Sequence, residues 1–403
     1  MFVLFAFRSY WELFMSRNVE CCLACLLVIQ VVCGATLLSS SEAEEPAVVL
    51  ELPPSDRNPR NSEGDFIRLE DGRILYIYTH FTAGAGDHAA AHLAARQSSD
   101  GGKTWTDRDE VVIPNEGKWN IMSVSLLRLA SGKIALFYAR KNSLDDCRPV
   151  MRVSTDEART WSDPVECITD QIGYYVLNND RVVQLRQVGP YQGRLILPVS
   201  LHNLPGWENP DWKGEVMCYF SDDEGRTWRR SRSRLKARTG DGRQWITQEP
   251  GIVELRDGRL MLFCRSNAGS QLVAWSDDGG DTWSELKPSS LKSPVSPATI
   301  ERIPDTDVLV AVWNDHRQIA PAYRGKRTPL SIAVSRDEGK TWSRSKTLFD
   351  SVHGWYCYTA LLVVDDHLLL GHCAGDRRKN NGLAKSQITR VPVRWLPTLE
   401  NGP

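Results

Sequence analysis

The sequence predicts an all-β protein in which residues 47–396 form a six-bladed β-propeller, and three observations support this fold class. The pattern Ser-x-Asp-x-Gly-x-Thr-Trp occurs five times at intervals of roughly 60 residues, the period of a stacked supersecondary unit. A second pattern, an apolar run, a tight polar turn and another apolar run, occurs six times. Short apolar runs separated by turn residues dominate the chain, and nothing indicates long helices.

The first pattern, called the box below, is expected at the tip of a β-hairpin. An apolar, β-rich run precedes each copy and a polar turn closes it. Its serine and aspartate can accept backbone N–H bonds, its glycine can take a positive φ, and its tryptophan can pack on the body of the protein. These residues are therefore predicted to be structural and not catalytic. The copies begin at Ser98, Ser154, Ser221, Ser276 and Ser335, and the second has Ala158 where the others have glycine.

The second pattern gives the number of repeating units. Its copies begin at Leu69, Leu129, Leu185, Leu255, Ile303 and Val364. Six units with five boxes indicate six four-stranded blades, of which the last has lost its box. Segments 48–52 and 387–395 are suitable outer strands for that last blade, because their pairing would close the ring and remove its open edge.

Composition excludes some classes of function. The formal net charge of -1 argues against a dedicated nucleic-acid binder. No cofactor or metal is predicted: His88 and His92 are four residues apart, but their segment runs into a strand and lacks the glutamate of a zinc motif. The cysteines beyond the N-terminal segment have no metal-type spacing, and no disulfide pairing is predicted for them.

The N-terminus has the layout of an export signal. An apolar stretch at 21–38 follows Arg17 and precedes the polar residues SSSEAEEP. Residues 1–43 are therefore expected to be a signal peptide, with an uncleaved membrane anchor as the alternative, and residues 397–403 a short tail. The protein is accordingly expected to be secreted or periplasmic, with no other membrane contact. Its oligomeric state stays open.

The topology points to one face of the ring as the site. Boxes and tight turns occupy one face, so the loops on the opposite face are the candidates for function. These loops contain charged, aromatic and amide side chains, among them Asp87, Asn179, Asp180, Glu249 and Arg265. Loops of this kind at one end of a rigid ring predict a polar ligand site.

With these motifs the chain resembles the sialidase superfamily, whose repeat is this Asp-box and whose fold is a six-bladed propeller. The resemblance covers roughly residues 50 to 395, as far as the repeats extend. It implies a retaining exo-α-sialidase-like glycosidase that acts on glycans or glycoconjugates. Because Asp-boxes also occur in propellers with other functions, each site residue is matched separately.

The resemblance implies three catalytic residues. Asp87, in the loop before the strand that leads to the first box, matches the general acid/base. Glu249, in the run QEPGIVEL, matches the glutamate that activates the nucleophile, and Tyr358, in YCYTALL, matches the tyrosine nucleophile. Tyr356 is the second choice for that role. A neutral tyrosine avoids the repulsion that a carboxylate nucleophile would meet beside the substrate's carboxylate.

The resemblance also implies arginines that bind the substrate carboxylate in a bidentate manner. Arg265 and Arg327 match two members of the family's triad. The third normally opens an Arg-Ile-Pro stretch, but this chain has NPRNSEGDF, with Arg60 about two residues out of place and Glu63 and Asp65 nearby. Such a pocket would be more acidic than an ordinary sialic-acid pocket.

Two alternatives follow from that departure. Arg60, Glu63, Asp65, Asn179 and Asp180 are all carried as candidate substrate-binding residues. The substrate is then sialic acid, a related acidic sugar, or another glycan cleaved by a hydrolase or lyase on the same propeller. The alternative from another class is a glycan-binding propeller without catalysis.

Overall fold

The computed structural model describes residues 44–398. From Glu45 onward these residues belong to one compact unit, and its structure is all-β. The predicted export segment 1–43 lies outside the described residues, as does most of the predicted tail 397–403. Among the described residues, helical structure is limited to short 3-10 turns at Pro321–Tyr323, Arg377–Lys379 and Val393–Trp395. No helix in this part of the chain has the length and apolarity needed to span a membrane.

The strands follow one another along the whole described region. The first half contains β1 (Ala47–Leu52), β2 (Arg60–Arg68), β3 (Ile74–Phe81), β4 (Ala91–Ser98), β5 (Glu110–Ile113), β6 (Asn120–Arg128), β7 (Ile134–Ser143), β8 (Asp146–Ser154), β9 (Val165–Glu166), β10 (Tyr174–Val176), β11 (Val183–Gln184), β12 (Leu195–Asn203), β13 (Glu215–Ser221) and β14 (Arg229–Arg230). The second half contains β15 (Gln248–Glu254), β16 (Leu260–Arg265), β17 (Ser270–Ser276), β18 (Lys287–Lys292), β19 (Thr299–Arg302), β20 (Leu309–Trp313), β21 (Leu330–Ser335), β22 (Lys346–Phe349), β23 (Gly354–Val364), β24 (His367–Asp376) and β25 (Ser386–Pro392).

The strands assemble into antiparallel sheets in chain order. Strands β2 to β5, β15 to β18 and β19 to β22 each form a four-stranded sheet of consecutive neighbours. A nine-stranded sheet contains β6 to β14. It consists of two antiparallel sets of strands, β6 to β9 and β10 to β14. The two sets are joined where β8 and β10 run parallel, with Tyr174 opposite Cys147. Successive hairpins of this kind produce the short, regular spacing of apolar runs seen in the sequence.

The last sheet combines the two ends of the described chain. Its order is β1-β25-β24-β23, so the N-terminal strand is the outermost strand of the C-terminal sheet. The expected pairing of segments 48–52 and 387–395 is thereby confirmed for residues 387–390, whereas residues 393–395 form a 3-10 turn. Tyr76 from the first sheet and Leu369 from the last lie in one apolar cluster, so these two sheets also pack together.

The boxes lie at hairpin tips and have the predicted hydrogen bonds. In the first, Gly102 N donates to Ser98 Oγ (3.0 Å), and the Thr104 N–H donates to Asp100 (2.9 Å). The box tryptophan, Trp105, packs against an apolar cluster. The other four copies repeat these contacts through Ser154, Ser221, Ser276 and Ser335. The structural role predicted for the box is confirmed.

Four strands that each begin an antiparallel set of strands contain the same β-bulge, and these bulges shape the site. In β2, β6, β15 and β23 two residues face a single residue of the partner strand, which is a β-bulge. The first residue of each bulge has a positive φ, between 50° and 66°, although none of the four is glycine. These residues are Glu63, Ser123, Glu249 and Tyr358.

Candidate active site

The four bulge residues converge on one cavity of about 260 Å³. The bulge redirects each side chain out of the regular alternation of its strand. The cavity is lined by three acids, three cations, aromatic rings and an apolar floor, which suits a small polar ligand with an apolar face. The lining residues that carry the argument are Glu63, Asp87, Ser123, Lys141, Tyr174, Trp212, Glu249, Arg265, Arg327 and Tyr358.

Tyr358, Glu249 and Arg265 form a connected group within this cavity. The Tyr358 hydroxyl donates a hydrogen bond of 3.0 Å to Glu249 Oε1, and Arg265 Nη1 donates one of 2.7 Å to the same oxygen. Gln248 and Arg265 are Cα partners across β15 and β16, so the sheet register fixes the Glu249–Arg265 pair. Glu249 is 8% exposed, and a nearly dry ion pair of this kind holds its geometry well.

The environment of Tyr358 acts on its proton in opposing directions. Burial raises the pKa of Tyr358 well above its usual value, and the Glu249 charge raises it further. The positive charges of Arg327 and Arg265 oppose that rise. These influences on balance favour the protonated phenol, and the Glu249 carboxylate lies within hydrogen-bond distance of its hydroxyl.

Arg327 is held by successive parts of β23. Its guanidinium lies 5.5 Å from the Trp355 ring centroid and 5.3 Å from that of Tyr358. Its Nη1 also donates a 3.1 Å hydrogen bond to the Cys357 sulfur. Burial would raise the pKa of Cys357, but the Cys373 thiol and the Arg327 charge together bring it below its ordinary value. Ring stacking and this sulfur contact fix the plane of the guanidinium.

Asp87 lies at the cavity mouth and is held through both its side chain and its backbone. Arg60 Nη1 forms a 2.5 Å ion pair with its carboxylate, while Lys141 Nζ (3.1 Å) and Asn120 Nδ2 (2.9 Å) donate to its carbonyl oxygen. Partial burial would raise the pKa of Asp87, but the charges of Arg60 and Lys141 hold it below the ordinary value. The ion pair with Arg60 therefore favours the ionised form of this carboxyl.

Glu63 connects Asp87 to the bulge residues. Its carboxylate accepts a 3.1 Å hydrogen bond from Arg60 and another from the Ser123 hydroxyl. Burial raises the pKa of Glu63, although Arg60 and Ser123 oppose the shift. Arg60 thus bridges two carboxylates, and it also donates to the Ala85 carbonyl.

Of the ten cavity residues named above, the sequence analysis did not select four: Ser123, Lys141, Tyr174 and Trp212. For Ser123 a signal exists, because it stands nine residues before the turn glycine Gly132, as Glu63 does before Gly72 and Glu249 before Gly258. For Lys141 there was none, since a lysine near the end of a strand is usually solvated. Here it is 6% exposed and lies 5.6 Å from the Tyr174 ring centroid.

Four residues predicted to bind substrate do not line the cavity. Arg60 is 1% exposed, and its terminal nitrogens Nη1 and Nη2 donate to Glu63, Asp87, Ser62 and Ala85, whereas Arg265 and Arg327 line the cavity. The other three use their side chains on backbone groups: Asp65 on Leu126, Asn179 on Gly64 and Tyr358, and Asp180 on Leu361. Their polar atoms satisfy the protein's own bulged strands.

The cysteines and potential metal ligands of the described residues were also located. The six cysteines of the described residues are buried free thiols. Across residues 44–398, no group of three or more histidine, cysteine, aspartate or glutamate side chains is arranged to hold a metal ion.

Comparison with known proteins identifies the family. The family model of the BNR repeat-like domain matches residues 107–370, which is more than half of the chain. The chain belongs to this family, within the sialidase superfamily.

Two curated sialidases are similar to this chain. The chain is 29% identical to the sialidase of Micromonospora viridifaciens over 340 residues, which cover 78% of this chain and 50% of that protein. The sialidase of Bacteroides fragilis is 24% identical over 334 residues, 74% of this chain and 57% of the other. The chain thus spans about half the length of these curated relatives.

Solved structures show that the BNR-repeat chain shares the sialidase fold. The Hadza microbial sialidase Hz136 has a TM-score of 0.65 at 19% identity, covering 85% of this chain and 67% of that one. A leech intramolecular trans-sialidase has a TM-score of 0.67 at 14% identity, covering 88% of this chain and 71% of the other. The all-β class predicted from the repeats is confirmed by the strands and by these neighbours.

Proposed function

We propose that this protein is an exo-α-sialidase-like glycosidase that releases a terminal sialic acid, or a related acidic sugar, with retention of configuration. The nine-stranded sheet counts as two blades in this proposal, which gives a six-bladed propeller. The observation that carries the proposal is the hydrogen bond between Tyr358 and Glu249, with Arg265 on the same carboxylate oxygen and Arg327 beside the ring. The sialidases of the superfamily support the reaction class.

The first chemical step uses Tyr358 as the nucleophile. Glu249 takes the phenolic proton while the tyrosine oxygen forms a bond with the anomeric carbon and the glycosidic bond breaks. The raised pKa of Tyr358 keeps it protonated until a substrate is bound, so the cavity does not hold an additional anion near the incoming carboxylate. A glycosyl–tyrosine intermediate results, as in the sialidases that depart from the two-carboxylate rule.

Asp87 supplies the acid and base chemistry. It gives a proton to the leaving oxygen in the first step. In the second step it takes a proton from the water that attacks the anomeric carbon, while the bond between that carbon and the Tyr358 oxygen breaks and Glu249 returns the proton to the tyrosine oxygen. Because the Arg60 ion pair favours its ionised form, Asp87 is well suited to act as the base, and acting as the acid requires it to be protonated first. This balance favours activity at acidic pH.

The cations select the substrate. Arg265 and Arg327 face the cavity and are proposed to bind the sugar carboxylate, with Lys141 as a further positive charge. Arg60 is engaged by Glu63 and Asp87 and is not proposed to contact substrate. With two arginines where the family pattern has three, a related acidic sugar is the alternative substrate.

The test is hydrolysis of a fluorogenic sialoside, and of the corresponding glycoside of a related sugar acid, by the purified protein. We expect Tyr358→Phe to lower kcat/KM by about 10³-fold or more, and Asp87→Ala by about 10²- to 10⁴-fold. The matched control is Tyr356→Phe, a buried tyrosine of the same strand that packs on Phe349 outside the cavity. Binding of both sugars without turnover would instead support the non-catalytic alternative.

Export is part of the same proposal. Arg17, the apolar stretch 21–38 and the polar residues after it support delivery to the periplasm or medium. N-terminal sequencing of the protein recovered from a producing culture tests this. Recovery of cytoplasmic protein with the stretch intact would count against it.

A further inference from the structure

We propose that Asn179, Asp180 and Thr299 are positioning residues that hold Tyr358 in its reactive conformation. This inference rests on the proposed function, because it assigns roles around the same nucleophile. It gives Asn179 and Asp180 a different role from the substrate contacts that the sequence suggested.

The backbone of the Tyr358 bulge is held at three successive points. Asn179 Nδ2 donates to the Tyr358 carbonyl oxygen (3.1 Å), and the Thr299 hydroxyl donates to the carbonyl oxygen of the next residue. Asp180 Oδ2 accepts from the Leu361 N–H (3.0 Å). These three side chains come from two distant parts of the chain, so they fix the bulge from outside its own sheet.

The bulge needs such support because its conformation is unfavourable. Tyr358 has φ 57°, a left-handed conformation that is unfavourable for a non-glycine residue because Cβ approaches the following carbonyl oxygen. Residues in this region persist only where their surroundings determine them, and they cluster at functional sites. Without the three contacts, an extended backbone at Tyr358 would move the phenol away from Glu249.

The same side chains connect Tyr358 to the other bulges. Asn179 Nδ2 also donates to the Gly64 carbonyl (2.9 Å), directly after the Glu63 bulge residue. The Asp180 N–H donates to the Val124 carbonyl (2.9 Å), directly after Ser123. The segment 179–180 therefore contacts three bulges of the cavity and holds Tyr358, Glu63 and Ser123 in fixed positions relative to one another.

A positioning role predicts a particular kinetic signature. Asn179 is fully buried and does not line the cavity, so its loss should leave ground-state binding of the sugar unchanged. Misplacement of the phenol by a fraction of an ångström, however, slows its attack on the anomeric carbon. The effect should appear in kcat and not in KM.

The experiment compares Asn179→Ala and Thr299→Val with Thr299→Ser, which restores the hydroxyl. We expect kcat to fall by about 10- to 100-fold in the first two variants, with KM changed by less than about 3-fold and kcat recovered in Thr299→Ser. The matched control is Gln271→Ala: Gln271 is also fully buried and does not line the cavity, and its amide donates to the Ser293 hydroxyl and the Ser296 carbonyl and makes no hydrogen bond to β23. That control should lose a similar amount of stability while kcat is retained.

A second readout does not depend on activity. In protein labelled with [13Cζ]tyrosine, the Tyr358 resonance is assigned by its absence in Tyr358→Phe. We expect it to shift in Asn179→Ala and Thr299→Val and to stay in place in Gln271→Ala. An unchanged resonance in the first two variants overturns the inference, as does kcat within about 2-fold of wild type. If the wild-type protein cleaves no acidic glycoside, the proposed function fails, and the resonance still decides whether these residues position Tyr358.

Discussion

Arg60 is 1% exposed at its side chain, yet it forms a 2.5 Å ion pair with Asp87, whose side chain is 61% exposed. A buried cation thus holds a carboxylate that stands at the mouth of the cavity. The pair has one electrostatic consequence that can be measured, because an opposite charge at this distance favours the ionised form of the acid.

We expect Arg60→Met to shift the alkaline limb of the kcat/KM profile to higher pH. Arg60 lowers the pKa of Asp87, so its removal raises that pKa, and the general acid then keeps its proton to higher pH. The measurement is kcat/KM for a fluorogenic acidic glycoside across the pH range. Arg152→Met, which breaks the ion pair with Glu116 outside the cavity, is the matched control and should leave the limb in place. A limb that moves to lower pH would contradict the role given to Arg60.

The orientation of the planar Arg327 guanidinium should matter as much for binding the substrate carboxylate as its positive charge. We expect Arg327→Lys to lower kcat/KM by about 10- to 100-fold, because a lysine cannot bind a carboxylate in a bidentate manner and loses the stacking on Trp355 and Tyr358. The measurement is steady-state kinetics with an acidic glycoside. Arg317→Lys is the control, since Arg317 also lies over a tryptophan, Trp313, but pairs with Asp315 outside the cavity. Equal activity of the two variants would exclude Arg327 from carboxylate binding.

Ala158 occupies a box position that glycine fills in the other four copies, and it has φ 62°. We expect Ala158→Gly to raise the free energy of unfolding by about 0.5–1 kcal/mol, because relief of the left-handed conformation exceeds the added flexibility of the unfolded chain. Urea unfolding measures this. The reciprocal variant Gly102→Ala should destabilise, since a Cβ there would lie 2.7 Å from Leu369 Cδ1. Destabilisation by Ala158→Gly would show that the alanine is favoured by its packing.

Asp65, Asp180 and Glu301 form a group of carboxyls around Arg181, and this group should make stability depend on pH. Burial raises the pKa of Asp65 and of Glu301 well above the ordinary value, and the Asp180 charge adds to both shifts. The native state therefore keeps protons on these carboxyls that the unfolded chain releases near pH 4. Their contribution to the free energy of unfolding is present at low pH and is lost as pH rises through the native pKa values.

The measurement is the free energy of unfolding at acidic, neutral and mildly alkaline pH. We expect the free energy of unfolding of Glu301→Gln to decline less toward alkaline pH than that of the wild type, because the amide carries no titrating proton. Glu285→Gln, at an exposed position, should leave the decline unchanged. A steeper decline in Glu301→Gln would contradict the assignment.

Some parts of this architecture could be read from the sequence because they depend on local pattern. The box contacts follow from turn chemistry within eight residues, and every copy has the predicted bonds. The Glu249–Arg265 pair was also accessible, because one hairpin makes the two strands neighbours and its register brings the residues together. Arg327 and Tyr358 needed the family resemblance, since nothing local links them to that pair.

Other parts of the architecture depend on how deeply a polar side chain is buried, which its residue type alone does not reveal. Arg60 and Asn179 look like ligand-binding side chains in the sequence, but both are buried and bind neighbouring strands. Lys141 looks like an ordinary surface lysine, and only the cavity shows it beside Asp87. The bulges that turn Glu63 and Ser123 inward add one residue to a strand, which an alternating apolar pattern does not predict.

The central claim is that Tyr358 forms a covalent bond with the sugar. The most direct measurement is mass spectrometry of the protein after incubation with a fluorinated sialosyl fluoride, which slows hydrolysis of the intermediate so that it accumulates. We expect one sugar per protein, mapped by proteolysis to Tyr358, with no adduct in Tyr358→Phe and an unchanged adduct in Tyr356→Phe. Cleavage of an acidic glycoside by wild-type protein together with an adduct on another residue, or an adduct retained in Tyr358→Phe, would contradict it.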